Sequence, residues 1–472
     1  MKFWIKEISF FERDVRLRMP FRFGVVTLTE APQAFVRVQI ALENKKSSEG
    51  AAAELLAPKW FDKNPALSNE DNFEQLRSSM RKAKDAYLSG GLDTAYGHSR
   101  PTLGLVENFG PALLDRALLD ALCRGLGISF YEAIRTNAPA IAFSGLEMPG
   151  FLNSLKPAPQ IAARHTVGLV DPITSLDNKT PVNDGLPETL EQVIARYGHR
   201  WFKLKVGGDA KADVDRLSAI AGVLDRIGEP YQASLDGNEQ YEDVEGVLTL
   251  WRAMRAEPRL KRLAASVVFI EQPIKRQNAL PFIEAPSARV LATAEEQFDV
   301  TRARIRQIEA KALMKLLAAE KPVIIDESDD SLDAFPRAKE LGYRGVSSKT
   351  CKGIYKSLIN AARCAAWGKG YFMTGEDLTI QAGLALQQDL ALVSILGLTH
   401  VERNGHHYVN GMAGLPTREQ ELFFKEHPDL YERSHGAVRL HIDKGMIQMK
   451  SLDCPGYASR AMPDWQAMRK MT

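Results

Sequence analysis

The chain has 472 residues, of which 45% are apolar and 25% charged, with 61 basic and 59 acidic side chains. This length allows a large core and predicts two domains, and the composition is typical of a globular protein. The formal net charge of +2 provides no basic excess for nucleic acid or for an acidic membrane surface.

The sequence carries no signal for export or for a membrane. No apolar run approaches the roughly 20 residues of a membrane helix, and the charged first residues do not form a signal peptide. The cysteines are scattered and lack the spacing of metal ligands: Cys123, Cys351, Cys364 and Cys454. They indicate reduced thiols, so we expect a cytoplasmic protein.

The first part of the chain predicts an α+β domain. Residues 1–42 alternate and are rich in aromatic and β-branched types, which is typical of an antiparallel sheet. Helical spacing of apolar residues follows over 67–88 and 112–136. We therefore place the first domain at 1–150.

From residue 162 onwards, short apolar runs alternate with helical patterns. The predicted strands are 165–170, 201–206, 232–236, 267–271, 323–326, 345–350, 371–374 and 398–402. Eight β/α repeats with short links predict a parallel sheet that closes into a barrel, which we place at 151–415. The segment 416–472 is predicted to return to the first domain, with a hairpin at 438–449. Residues 302–317 predict an inserted helix, and the sequence assigns no role to the insertion at 276–320.

Three of these strands end in an acidic residue, namely Asp236, Glu271 and Asp326. A carboxylate often ends a strand where the chain meets water, so one alone carries little information. Three in succession, with helices between them, favour one shared site at the carboxyl end of the sheet. Oxygen ligands of this kind suit Mg²⁺, with Mn²⁺ as the other candidate.

Lysines lie on both sides of the acidic strands. Lys203 and Lys205 are two residues apart on a strand and therefore share a face, while Lys349 ends the strand after Asp326. A single lysine could be a solvated strand end. A lysine beside a cation and another lysine can have a lowered pKa, which suits a base that transfers protons.

These motifs resemble those of the enolase superfamily, in the branch of muconate-lactonizing enzyme, o-succinylbenzoate synthase and dipeptide epimerase. The matching motifs are Lys203-Leu204-Lys205, Asp236-Gly237-Asn238, Glu271-Gln272-Pro273, Asp326-Glu327 and Lys349. The resemblance implies a modified (β/α)₇β TIM barrel with an N-terminal capping domain that the C-terminal segment completes. The predicted seventh strand contains no histidine, which disfavours the mandelate racemase branch.

The resemblance also implies the chemistry. A substrate carboxylate would bind Mg²⁺ held by Asp236, Glu271 and Asp326, and loss of the α-proton would give an enediolate. Lys205 and Lys349 would transfer protons on opposite faces of the α-carbon, with Lys203 beside Lys205. Two active lysines imply racemisation or epimerisation, and one implies cycloisomerisation or dehydration. Residues implied to support the ligands or touch the substrate are Asn238, Glu327, Asp377 and Arg403.

The substrate and the reaction type stay open at this stage. The stretch after the last strand, Glu402-Arg403-Asn404, lacks the Asp-x-Asp of dipeptide epimerases, and Arg403 could bind a second substrate carboxylate or lie at the surface. We expect a homo-oligomer that binds a small-molecule carboxylate. The alternatives are a Schiff-base aldolase barrel, with Lys205 or Lys349 as the nucleophile, and a barrel that binds or assembles without catalysis.

Overall fold

The computed structural model describes residues 1–24, 26–280, 311–376, 382–404 and 406–471. The chain divides into two compact units, one formed by Met1–Trp201 with Ser347–Thr472 and the other by Phe202–Val346. The predicted domain limits at 150 and 415 stay a prediction.

The N-terminal part of the first unit contains an antiparallel sheet. Its strands are β1 (Phe3–Phe23), β2 (Val26–Leu42) and β3 (Ser47–Leu55). Phe35, Val36, Val38 and Ile40 of β2 are all buried, because the strand is covered on both faces. The antiparallel sheet predicted for 1–42 is observed, and β3 extends it beyond the predicted region.

Five helices follow in the same unit: α1 (Asn69–Leu88), α2 (Ala95–His98), α3 (Phe109–Leu126), α4 (Phe130–Arg135) and α5 (Met148–Ser154). Ser68 caps α1, accepting from the Asp71 N–H while Asp71 accepts from the Ser68 N–H. The helical pattern predicted over 112–136 is observed as two helices. It is interrupted at Gly127, whose positive φ of 73° ends α3, and Ser129 caps α4.

Eight parallel strands and the helices between them make up the next part of the chain. The strands are β4 (Gln160–Val167), β5 (Trp201–Lys205), β6 (Gln232–Asp236), β7 (Val267–Glu271), β8 (Val323–Ile325), β9 (Gly345–Ser348), β10 (Phe372–Gly375) and β11 (His400–Glu402). The helices are α6 (Leu190–Tyr197), α7 (Ala210–Leu224), α8 (Val244–Ala256), α9 (Lys261–Ser266), α10 (Arg276–Ala279), α11 (311–320), α12 (Ala334–Leu341), α13 (Ile354–Trp367) and α14 (Leu384–Ile395).

The eight strands are hydrogen-bonded in chain order, and β11 also pairs with β4. This last pairing closes the sheet into a parallel barrel, so the predicted barrel with an N-terminal sheet domain is confirmed. In such a barrel, the carboxyl ends of the strands form one rim, where functional residues lie. Residues 302–310 of the predicted inserted helix lie outside the described residues, while 311–320 are helical.

The last part of the chain contains α15 (Thr417–Glu426), β12 (Tyr431–Ser434), β13 (Ala437–Leu440), β14 (Met446–Gln448) and β15 (Arg469–Lys470). The predicted hairpin over 438–449 is wrong, because β13 pairs with β12 and β14 pairs with β4. The short strand β15 pairs with β1 and so joins the N-terminal sheet. None of the helices described in this chain is long and apolar enough to cross a membrane.

Candidate active site

The three acidic residues lie at the ends of neighbouring strands. In the parallel pairing of β6 with β7, Asp236 is opposite Glu271, and in the next pairing Glu271 is opposite Ile324. Asp326 follows directly after the last residue of β8. All three side chains are buried, with Asp236 1%, Glu271 0% and Asp326 2% exposed.

The loops after β6 and β7 are packed tightly against each other. A Cβ on Gly237 would lie 2.5 Å from Pro273 Cα, so only glycine fits between the two strand ends. Asn238 and Gln272 have positive φ angles of 44° and 31°, a conformation that is unfavourable for residues with a side chain. Such strain persists only where the surrounding structure imposes it, and it is common at functional sites.

Gln272 connects the end of β7 to the end of β8. Its Oε1 accepts from the Asp326 N–H at 2.9 Å and from the Ser328 N–H at 3.1 Å. Its Nε2 donates to the Ser328 hydroxyl at 2.8 Å. No sequence pattern indicates this role of Gln272, because the middle position of the Glu-Gln-Pro motif shows nothing of its backbone angle. Gln272 fixes the peptide that carries Asp326.

Two lysines of β5 point at the acidic residues. The Nζ of Lys203 lies 2.8 Å from Asp236 Oδ2 and 3.0 Å from Glu271 Oε2, and the Nζ of Lys205 lies 2.6 Å from Asp236 Oδ2. Burial by itself would raise the pKa of Asp236, but the charges of Lys203 and Lys205 outweigh burial and lower this pKa to about 2. Asp236 is therefore ionised at neutral pH.

A second group of polar residues lies beside the first. Asn238 Nδ2 donates to Glu327 Oε1 at 2.7 Å, so two predicted supporting residues contact each other. Arg276, which no sequence motif indicates, binds Glu239 at 2.9 Å. Burial lowers the pKa of Arg276, but Glu239 and the charges of Glu327 and Asp326 outweigh this and raise it.

The donor set of this unit suits a divalent cation in chemistry. Four buried carboxylates lie at these strand ends, those of Asp236, Glu271, Asp326 and Glu327. Carboxylate oxygens are the ligands that Mg²⁺ prefers. Within the described ranges, no group of three or more His, Cys, Asp or Glu residues is arranged to hold a metal ion. Asp236 and Glu271 instead both form ion pairs with the ammonium group of Lys203.

Lys349 lies in the other compact unit, formed by Met1–Trp201 with Ser347–Thr472. Its side chain is 4% exposed, and its Nζ lies 4.4 Å from the ring centroid of Trp60. The next residue, Thr350, donates through its hydroxyl to Glu54 Oε2 at 3.3 Å. Trp60 and Glu54 come from the N-terminal part of the chain, and no motif in the sequence indicates them.

Arg403 is a buried residue with a carboxylate partner. It is 2% exposed, its guanidinium forms an ion pair with Asp389 of α14, and it donates to Glu402 O at 2.5 Å. The alternative of a surface arginine is therefore wrong, while its predicted role toward substrate stays a prediction. Asp377, the remaining predicted supporting residue, lies outside the described residues.

Comparison with solved structures identifies enzymes of similar fold. Muconate lactonizing enzyme from Pseudomonas fluorescens is 16% identical with a TM-score of 0.60, over 98% of this chain and 97% of that one. N-succinyl Arg/Lys racemase from Bacillus cereus is 16% identical with a TM-score of 0.59, over 98% of this chain and 96% of that one. An enolase-superfamily member from Roseovarius nubinhibens, solved with magnesium, is 16% identical with a TM-score of 0.57, over 100% of this chain and 99% of that one.

Among curated proteins, cis-3-hydroxy-L-proline dehydratase from Roseibium aggregatum is 28% identical over 153 residues. This match covers 29% of the present chain and 38% of the dehydratase. No family model matches the chain. The structural neighbours confirm the resemblance in fold that the strand-end motifs predict, since they include a muconate lactonizing enzyme, a racemase and an enolase-superfamily member.

Proposed function

We propose that this chain is an isomerase or lyase that removes the proton α to a substrate carboxylate with the help of Mg²⁺ or Mn²⁺. The observation that carries the proposal is the contact of Lys203 and Lys205 with Asp236 and Glu271 at the carboxyl ends of three successive strands. Buried amines are suited to moving a proton, buried carboxylates are suited to binding a cation, and the similar folds belong to cycloisomerases and racemases.

Lys205 is the proposed base for the α-proton, and Lys203 positions it through their shared contact with Asp236. Lys349 is the proposed second proton-transfer residue. Activity of both lysines would give racemisation or epimerisation, whereas activity of one with loss of a β-substituent would give cycloisomerisation or dehydration.

Asp236, Glu271 and Asp326 would hold the cation. When bound, it would polarise the substrate carboxylate and stabilise the negative charge that develops as the α-proton leaves. The residues proposed to orient these ligands or the substrate are Asn238, Glu327, Asp377 and Arg403.

The proposed substrate is a small carboxylic acid, and neither nucleic acid nor membrane is a proposed partner. We also propose a homo-oligomer in the cytoplasm. The four free cysteines, three of them buried, support a reducing compartment. Sedimentation equilibrium would measure the oligomeric state.

Proton NMR in D₂O tests the proposed reaction. The protein would be incubated with Mg²⁺ and a library of muconates, N-succinyl amino acids, hydroxyprolines, dipeptides and sugar acids. We expect metal-dependent loss of one α-proton signal, and Lys205→Met should reduce its rate at least about 100-fold, since general acid–base groups contribute roughly 10²–10⁴.

Lys211→Met is the matched control, because Lys211 is an exposed lysine that pairs with Asp215 on the surface of α7. It should exchange at the rate of the unaltered protein. Equal rates in the Lys205 and Lys211 variants would contradict the proposal, as would exchange that persists in EDTA. Trapping of Lys205 or Lys349 by borohydride in the presence of a carbonyl substrate would instead support Schiff-base chemistry.

A further inference from the structure

The ammonium group of Lys349 faces an aromatic ring from the N-terminal part of the chain. Its Nζ lies 4.4 Å from the centroid of the Trp60 ring, and both side chains are buried at 4% and 3% exposure. A cation within about 6 Å of a tryptophan face is attracted by the ring quadrupole, most strongly where water is excluded. The lysine is therefore in contact with a group that favours its charged form.

The backbone before Trp60 is held in a conformation that has to be imposed. Lys59 has a φ of 61°, and its own ammonium donates to Asn64 O at 2.8 Å and to Leu67 O at 2.5 Å. Its N–H donates to Asn72 Oδ1 at 3.2 Å. These bonds hold a residue with left-handed backbone angles next to Trp60. Such strain persists only where the surrounding structure imposes it, and it is common at functional sites.

The ring itself is fixed by other aromatic side chains. Trp60 packs edge-to-face on Phe61 with centroids 4.8 Å apart, and Phe61 packs in the same way on Phe109 at 5.2 Å. Phe109 is the first residue of α3. The indole is thus positioned by an aromatic row and not by contact with Lys349 alone.

The turn that carries Lys349 is held by charged residues of several elements. Thr350 binds Glu54 of β3 and, through its N–H, Asp389 of α14 at 3.3 Å. Glu54 pairs with Arg116 of α3 at 3.0 Å, and Asp389 pairs with Arg403. Lys352 of the same turn donates to Ser347 O at 3.2 Å. Each of the two acidic groups also has a basic partner, so the turn is held in place by ion pairs.

We propose that Trp60 is a positioning residue for Lys349, holding its ammonium group by a cation–π contact so that it stays protonated and in a fixed orientation. The functional importance of this contact rests on the proton-transfer role proposed above for Lys349, but the contact itself does not. Lys349, held protonated in this way, would then serve as the proton donor.

The test is the titration of Lys349, followed by NMR of protein labelled with ¹³C at lysine Cε. The Lys349 signal is the one that disappears in Lys349→Arg. We expect Trp60→Leu to lower the pKa of Lys349 by about one unit, and Trp60→Phe by less, because the phenyl ring retains part of the attraction. Trp465→Leu is the matched control, since Trp465 packs on Phe11 and under Arg37. It should leave the titration unchanged.

Fluorinated tryptophan provides a second measurement that preserves shape. Successive fluorine atoms weaken the negative ring face, so the pKa of Lys349 should fall stepwise with their number, and this trend should vanish in Trp60→Phe. An unchanged Lys349 titration in Trp60→Leu and across the fluorinated series would overturn the inference. A shifted titration without α-proton exchange on any substrate would keep the contact and reject the proposed function.

Discussion

At the residue scale, Asp115 carries a buried carboxyl group whose pKa is raised in the folded protein. Burial raises its pKa to about 7, although hydrogen bonds from Ser99 at 2.6 Å and Tyr87 at 2.7 Å and the charge of Arg100 act to lower it. The folded protein therefore retains a proton between about pH 4 and 7 that the unfolded chain releases. Unfolding is favoured as the pH rises through this window.

We predict that Asp115→Asn removes this pH dependence. The amide resembles the protonated carboxyl, so the free energy of unfolding of the variant should decline less, by roughly 2–4 kcal/mol, between pH 4 and 7 than that of the unaltered protein. Urea denaturation at several pH values measures both slopes, and all other titrating groups are shared. Parallel slopes would show that Asp115 is ionised in the fold.

At the same scale, sequence reasoning predicted the residue types of the site better than their partners. The spacing of Lys203 and Lys205 and the acids at the ends of β6 and β7 are visible as patterns, and the structure brings these four together. Gln272 acts through a positive φ that its side chain does not reveal. Trp60 reaches Lys349 from 289 positions earlier in the chain, so no local pattern could indicate the contact.

At the scale of elements, β3 is a strand that the sequence pattern did not predict. Its centre reads Gly50-Ala51-Ala52-Ala53, residues that favour turns or helices and not strands. They are small because α3 lies directly against them. A Cβ on Gly50 would come within 2.2 Å of Ala121 N and 2.3 Å of Ala117 O. Packing against a helix therefore determines the composition of this strand, and propensity does not.

Gly50→Ala is accordingly predicted to destabilise the protein by about 1–3 kcal/mol or more, because the methyl group must push β3 from α3. Gly222→Ala is the matched control on α7, where an added Cβ meets no atom within 4 Å. That change should instead stabilise the protein by roughly 1 kcal/mol, through better helix propensity. Thermal denaturation of the two variants tests the contrast, and shifts of the same sign would contradict it.

At the scale of the whole molecule, the alternation of strands and helices predicted the barrel, because each β/α repeat is local in sequence. The pairings between distant segments could not be predicted from this alternation. The return of β15 to β1 and the pairing of β14 with β4 join segments that are hundreds of residues apart. The hairpin predicted over 438–449 is wrong for the same reason. Its two strands pair with β12 and with β4, and the local sequence does not specify these partners. Asp236, Glu271 and Asp326 likewise become neighbours only through the pairing of β6, β7 and β8.

Cation binding should therefore stabilise the whole fold, because its proposed ligands come from three strands separated by up to 90 positions. At a Mg²⁺ concentration 100 times its Kd, linkage adds about 2.7 kcal/mol, which for a chain of this length raises Tm by about 3 °C. EDTA should reverse the shift and Asp326→Asn should abolish it. Asp330→Asn, a change at an exposed acid on the loop after β8, should retain it. A shift of equal size in both variants would mean that Mg²⁺ binds elsewhere. No shift in the unaltered protein would mean that Mg²⁺ does not bind, and that Lys203 and Lys205 are the cations that neutralise these carboxylates.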